Sequence, residues 1–216
     1  MRVKVCGMTR VEDAHAAVAA GAHAIGCLVG LDYDAPDRVE PGVARAIFAS
    51  VPPRVERVLV THRTAVVDVV ELARETGASV VQLHGAFPLE AISELRLRAP
   101  QLAVVKCAHV VDEGSIEEAL RAAGAADRVL LDSRTADRIG GTGRIHDWSI
   151  SARIVQRSPK PVILAGGLDP DNVAGAIVQV RPWGVDVNSG VRGPDGCRSH
   201  ERIRAFVAAA TGQGIR

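Results

Sequence analysis

Eight short apolar runs alternate with eight helix-like stretches from one end of the chain to the other, one pair about every 27 residues. The runs fall at 2–7 (RVKVCG), 23–29, 55–61, 78–83, 102–107, 128–132, 161–165 and 184–188. Helical patterns occupy 11–20, 41–50, 64–76, 87–99, 113–124, 147–157, 170–179 and 199–210, with Pro170 expected to open the seventh and Gly77 to close the third. Strands that alternate with helices need crossover connections, which give a parallel sheet. Eight such units with no linker or low-complexity tract predict an α/β chain closed into a single (β/α)8 TIM barrel over residues 1–216. A doubly wound open sheet is the alternative, and the count of eight favours the barrel.

Composition narrows the function classes. Lys and Arg total 26 and Asp and Glu 25, a net charge of +1, so no global field draws the chain to nucleic acid or an anionic membrane. Aromatics at 3% are too few to stack single-stranded bases. No apolar run approaches the roughly 20 residues of a membrane span, and MRVKVCGMTR is not a signal peptide. Cys6, Cys27, Cys107 and Cys197 are scattered, with no spacing that supports a disulfide framework or a structural zinc. These features predict a cytoplasmic protein acting on a small molecule, as a monomer or homodimer.

In a barrel of this kind function gathers at the C-terminal ends of the strands. Side chains alternate faces along a strand, so the apolar parity that packs against the helices leaves the other parity pointing inward. That rule sends Lys4, Cys6, Gln82, His84, Lys106, Asp132, Asp186 and Asn188 inward. Charge in a barrel interior is costly unless paired or used. One such residue reads as a satisfied ion pair; five strands doing this at one end read as an active site.

Glycine-rich loops follow the last three strands: Gly140-Gly141-Thr142-Gly143, Gly166-Gly167 and Ser189-Gly190. Glycines let backbone N–H groups approach an anion, and barrels commonly hold phosphate between the loops of the last two strands. Gly141, Thr142, Gly143, Gly166, Gly167, Ser189 and Gly190 are therefore the expected phosphate cradle.

Taken together, VKVCGMTR (3–10), VQLHG (81–85), LLDS (130–133), GGTG with HDW (140–148), LAGGLDPDNV (164–173) and GVDVNSGV (184–191) resemble the phosphoribosylanthranilate isomerase family of tryptophan biosynthesis. The resemblance spans nearly the whole chain. It implies a (β/α)8 barrel that needs no cofactor or metal and performs an Amadori rearrangement of an N-substituted phosphoribosylamine. Cys6 would be the general base and Asp132 the general acid, with Lys4, Gln82, His84 and Asp186 at the substrate. Such chemistry asks for a protonated Asp132, raised by desolvation, and a Cys6 thiolate lowered by Lys4 or a nearby cation. Cys27 and Cys107 read as core residues, and Cys197 as a loop thiol. A Schiff-base lysine mechanism would need Lys4 or Lys106 neutral in an apolar pocket.

Three departures from the family pattern concern the aryl end of the substrate. After the second strand the family carries an arginine that meets the anthranilate carboxylate; counting back from Pro41 puts Asp37 there, with Arg38 one residue on as a substitute. The third strand ends Val60-Thr61-His62 where an aromatic and then a small polar residue are usual. After Ser189-Gly190-Val191 the family has an acid, and this chain has Arg192. The competing readings are a paralogue with a different amine half, a related phosphate-binding barrel, and a catalytically idle sugar-phosphate binder.

Overall fold

The computed structural model describes residues 1–135, 138–139 and 146–212, with the side chains of 134, 135, 138 and 139 left out. Strands β1 (Arg2–Val5), β2 (Ala24–Leu28), β3 (Glu56–Thr61), β4 (Val80–Leu83), β5 (Ala103–Val110), β6 (Arg128–Thr135), β8 (Val162–Leu164) and β9 (Gly184–Val187) pair in parallel. β5 also pairs with β6, so the ring closes. A two-residue strand β7 (Arg138–Ile139) turns back antiparallel on the end of β6. Helices α1 (Val11–Ala19), α2 (Pro41–Ala49), α3 (Val66–Thr76), α4 (Ile92–Arg98), α5 (Ser115–Ala125), α6 (Trp148–Arg157), α7 (Val173–Val180) and α8 (His200–Thr211) lie in the crossovers and after β9. The expected barrel is the fold. None of the described helices is long and apolar enough to cross a membrane.

Local chemistry sets the ends of these elements. Gly77 closes α3 in the left-handed conformation at φ 72°. Asp147 caps α6 by accepting from the Ser149 amide, and Ser199 caps α8 by accepting from that of Arg202. Two helices start later than the sequence pattern suggests. Pro170 lies in a turn in which the Asp169 carboxylate accepts from the amides of Asp171 and Asn172, so α7 begins only at Val173. Pro88 and Leu89 accept i→i+3 bonds from Ala91 and Ile92, a tight turn that delays α4 to Ile92.

Two apolar clusters fill the molecule. The larger lies between strands and helices and includes Val3, Val5, Cys27, Leu59, Val104, Ala108 and Leu131. The smaller contains Cys6, Leu28, Val58, Val60, Val80, Val105, Cys107, Leu130 and Ile163, the residues of opposite parity that fill the barrel itself. At the N-terminal end of the barrel, Glu56 accepts a bidentate pair of 2.7 Å bonds from Arg128, whose guanidinium sits 4.8 Å from the centre of the Trp183 ring. These side chains line a cavity at that end, whereas barrels of this kind gather function at the opposite mouth.

Candidate active site

The mouth is organised around a buried lysine. Register pairs Lys4 on β1 with Asp186 on β9. Lys4 Nζ donates to Asp186 Oδ2 at 2.6 Å and to Gln82 Oε1 at 2.9 Å. Gly26 on β2 makes room for this arrangement: a Cβ there would lie 2.8 Å from Cys6 Sγ and 3.0 Å from Lys4 Cε. Burial opposes charge on Lys4, but the Asp186 carboxylate and the Cys6 sulfur beside it raise its pKa overall. Lys4 is thus a fixed cation, which removes it as a Schiff-base nucleophile.

A relay runs from that cation across the barrel. Because the Gln82 oxygen faces Lys4, its Nε2 faces His84 Nδ1 at 3.1 Å and donates to it. The ring proton then belongs on Nε2, which lies 3.5 Å from Asp132 Oδ2. Burial and the nearby His109 and His62 hold His84 well below the ordinary histidine range, so it stays neutral. The Ser133 amide donates to Asp132 Oδ1 at 2.8 Å. Desolvation outweighs that bond and raises Asp132 to about 7. A carboxyl group half protonated near neutral pH is a competent general acid.

Cys6 lies on the same interior face as Lys4, two residues nearer the mouth. The chemistry implied by the family resemblance asks for a thiolate here, and the electrostatics of the free protein depart from that expectation. Burial pushes the thiol up to about 11, even though the neighbouring Lys4 pulls it down. Desolvation of the anion wins because Lys4 is already shared with Asp186.

Lys106 does not point inward. Parity on β5 places Val105 and Cys107 in the barrel, while Lys106 Nζ caps backbone oxygens of Gly85 at 2.9 Å, Cys107 at 3.1 Å and Leu83 at 3.4 Å. The interior residue that sequence reasoning missed is His109, in phase with Cys107 on a strand that runs three residues beyond the expected end. His109 packs edge-on against His84 with ring centroids 5.5 Å apart. His62 stacks on His84 with centroids 5.6 Å apart, and Tyr33 leans on His62.

On the opposite side of the mouth Gly166 and Gly167 both take left-handed φ values, 81° and 69°. Ser189 and Gly190 form a 3₁₀ turn (Ser189–Val191) beside them. A Cβ on Gly190 would run into the Leu168 carbonyl, so only glycine lets the two loops close together. Gly141, Thr142 and Gly143 lie outside the described residues.

A family model described as N-(5'phosphoribosyl)anthranilate (PRA) isomerase matches residues 3–209. The chain belongs to the phosphoribosylanthranilate isomerase family. The N-(5'-phosphoribosyl)anthranilate isomerase of Haloferax volcanii is 44% identical over 209 residues, 97% of this chain and 92% of that one. Isomerase 2 of Methanosarcina mazei is 40% identical over 212 residues, 97% and 94% of the two chains. The phosphoribosyl anthranilate isomerase structure from Thermotoga maritima superposes with a TM-score of 0.86 at 35% identity, covering 98% of this chain and 99% of that chain. A family structure in complex with reduced 1-(o-carboxyphenylamino)-1-deoxyribulose 5-phosphate matches with a TM-score of 0.82 at 33% identity, covering 98% and 99%.

Against that family pattern, the loop after β2 resolves into two parts. Asp32 is exposed and pairs with His62, whereas Asp37 is buried. Arg192 Nη2 lies 2.8 Å from Asp37 Oδ2, and Arg198 Nη2 lies 3.1 Å from the same oxygen. Arg198 is fully committed, since it also donates to the Gly7 and Asn188 carbonyls and to the Asn188 side chain. Arg38 turns its side chain to solvent and forms no ion pair among the described residues. Asp37 and Arg192, two of the three departures, are thus partners. Sequence spacing gave no hint of this, because 155 positions separate them.

Proposed function

We propose that this chain catalyses the Amadori rearrangement of N-(5-phosphoribosyl)anthranilate to 1-(2-carboxyphenylamino)-1-deoxyribulose 5-phosphate. The observation that carries the reading is Asp132, buried at the mouth with its pKa raised to about 7, on the same end of the barrel as Cys6. Asp132 gives its proton to the furanose ring oxygen, the bond from that oxygen to C1 breaks, and a protonated Schiff base forms at C1. Cys6 then takes the C2 proton, and the resulting enolamine tautomerises to the ketone. Only the thiolate accepts that proton, so Cys6 must first lose its own to solvent. Lys4 and the cationic Schiff base are the charges that favour this against burial.

The His84 Nε2–H stabilises the Asp132 carboxylate once its proton has gone. Gly166, Gly167, Ser189 and Gly190 receive the phosphate on backbone N–H groups. The aryl carboxylate goes to Arg192. Of the cations around the mouth, Lys4, Lys106 and Arg198 are spent on other partners and Arg38 turns its side chain to solvent, while Arg192 pairs with Asp37 and keeps a side chain 26% exposed. Arg192 also neutralises Asp37, so an acid at that position does not repel the substrate.

The test is turnover of freshly generated N-(5-phosphoribosyl)anthranilate, followed by loss of its fluorescence. Cys6→Ala and Asp132→Asn each lower kcat by about 10²–10⁴, the usual contribution of a positioned acid or base. Normal turnover by Cys6→Ala would remove it as the base.

A further inference from the structure

Beside the acid–base pair, the barrel mouth collects side chains that the isomerisation leaves unused. Cys107 and His109 sit two residues apart on β5, both facing the interior. The β4–β5 register, Gln82 with Val105, continues to set His84 beside Cys107. The donor atoms of His84, Cys107 and His109 all lie within 4.8 Å of one another. Tetrahedral zinc with bonds of about 2.0–2.3 Å holds its donors roughly 3.3–3.8 Å apart, so side-chain rotations of about 1 Å close the set. Two imidazoles and one thiol are a borderline-soft combination that suits zinc and not magnesium or calcium.

We propose that His84, Cys107 and His109 form a binding site for a zinc-class divalent ion at the open end of the barrel. Cys107 binds as the thiolate, its proton passing to solvent. His84 binds through Nε2, its proton moving to Nδ1, and the Gln82 side chain swings its Oε1 away from Lys4 to accept that proton, leaving Lys4 on Asp186. The fourth position opens to the mouth, where a water or Oδ2 of Asp132, 3.5 Å from His84 Nε2, completes the shell. An ion there occupies the side chain that faces the general acid. Zinc is therefore a reversible inhibitor that competes with substrate, a consequence that rests on the isomerase reading, whereas the site itself does not.

The experiment is a titration of the chelator-stripped protein with Co²⁺ as the optical probe, followed by displacement with Zn²⁺, all without substrate. One equivalent of Co²⁺ is expected to bind, with a thiolate-to-cobalt charge-transfer band in the near ultraviolet and the intense visible bands of tetrahedral coordination. Cys107→Ser abolishes the charge-transfer band. His109→Asn keeps that band but weakens binding by about 10–100-fold, at least the loss known for an outer-shell partner. Cys197→Ser, an exposed thiol far from the set, changes neither. A band that survives Cys107→Ser, or octahedral cobalt spectra with no charge transfer in the unsubstituted protein, overturns the site. Because no turnover is measured, failure here leaves the isomerase assignment standing, and failure of that assignment leaves the site standing.

Discussion

His84 directs Nε2 at Asp132 Oδ2 across 3.5 Å, while its other ring nitrogen faces a Gln82 amide held by Lys4. Asp132, the proposed acid, is therefore joined to the buried Lys4–Asp186 ion pair through one polar chain, Asp186–Lys4–Gln82–His84–Asp132. Each link is anchored on a different strand or at a strand end, so the chain exists only once the barrel has closed.

The raised pKa values predict an unusual pH profile. The reactive form needs Asp132 protonated and Cys6 ionised, whereas the groups titrate at about 7 and about 11 in the free protein. Below pH 7 the thiolate fraction grows tenfold per unit while Asp132 stays protonated, so kcat/KM rises with pH. Above 7 the growth of thiolate is cancelled by loss of the Asp132 proton, and kcat/KM becomes flat. In Asp132→Asn the residual activity should keep rising through pH 9, because nothing remains to cancel the thiolate term. A break near pH 7 that persists in Asp132→Asn would assign it to another group.

Stability should follow the same carboxyl. Asp132 titrates higher in the folded chain than at its ordinary value of 3.8, so the native state binds the proton more tightly. Its contribution is then fully present below pH 4 and is lost as pH rises through 7. Asp132→Asn removes that penalty and is expected to be more stable than the unsubstituted chain at pH 8, by at most about 4 kcal/mol. The advantage shrinks to nothing near pH 4. Urea unfolding at the two pH values reads the difference, and a gain independent of pH would rule out the titration as its source.

Lys4 and Asp186 should behave as one unit. Lys4→Met leaves the Asp186 carboxylate buried with no counter-charge and should cost about 3–5 kcal/mol. Adding Asp186→Asn to Lys4→Met should recover much of that loss, because no buried charge then remains. Equal and additive costs in a double-mutant cycle would show that the 2.6 Å contact carries no coupling.

Arg192 and Arg198 share Asp37 but differ in commitment, so their substitutions should separate. Arg192→Gln is expected to raise KM about tenfold or more with kcat little changed, the loss of one charge-assisted contact to the substrate carboxylate. Arg198→Ala should instead destabilise the fold by about 3 kcal/mol, since it unties Gly7, Asn188 and Asp37 together. Arg38→Ala should alter neither. A KM effect at Arg38 with none at Arg192 would reverse the assignment of the aryl end.

The sequence by itself determined the architecture and most of the site. Alternation of eight apolar runs with helical stretches allows only a closed or an open parallel sheet. Side-chain parity placed Lys4, Cys6, Gln82, His84, Asp132 and Asp186 on the inner face, because neighbours such as Val3, Val5, Val81 and Leu131 must meet the helices. Parity failed on β5, where both Lys106 and Cys107 sit among apolar neighbours and the long lysine was free to reach carbonyls at the strand top. Only the tertiary structure decided the partners. The Asp37–Arg192 pair, the His62–His84–His109 ladder and the His84–Cys107–His109 donor set join residues from different strands and loops, at separations set by barrel closure. The protonation states belong there too: burial, a property of the assembled barrel, holds Cys6 as a thiol and raises Asp132 into the working range of an acid.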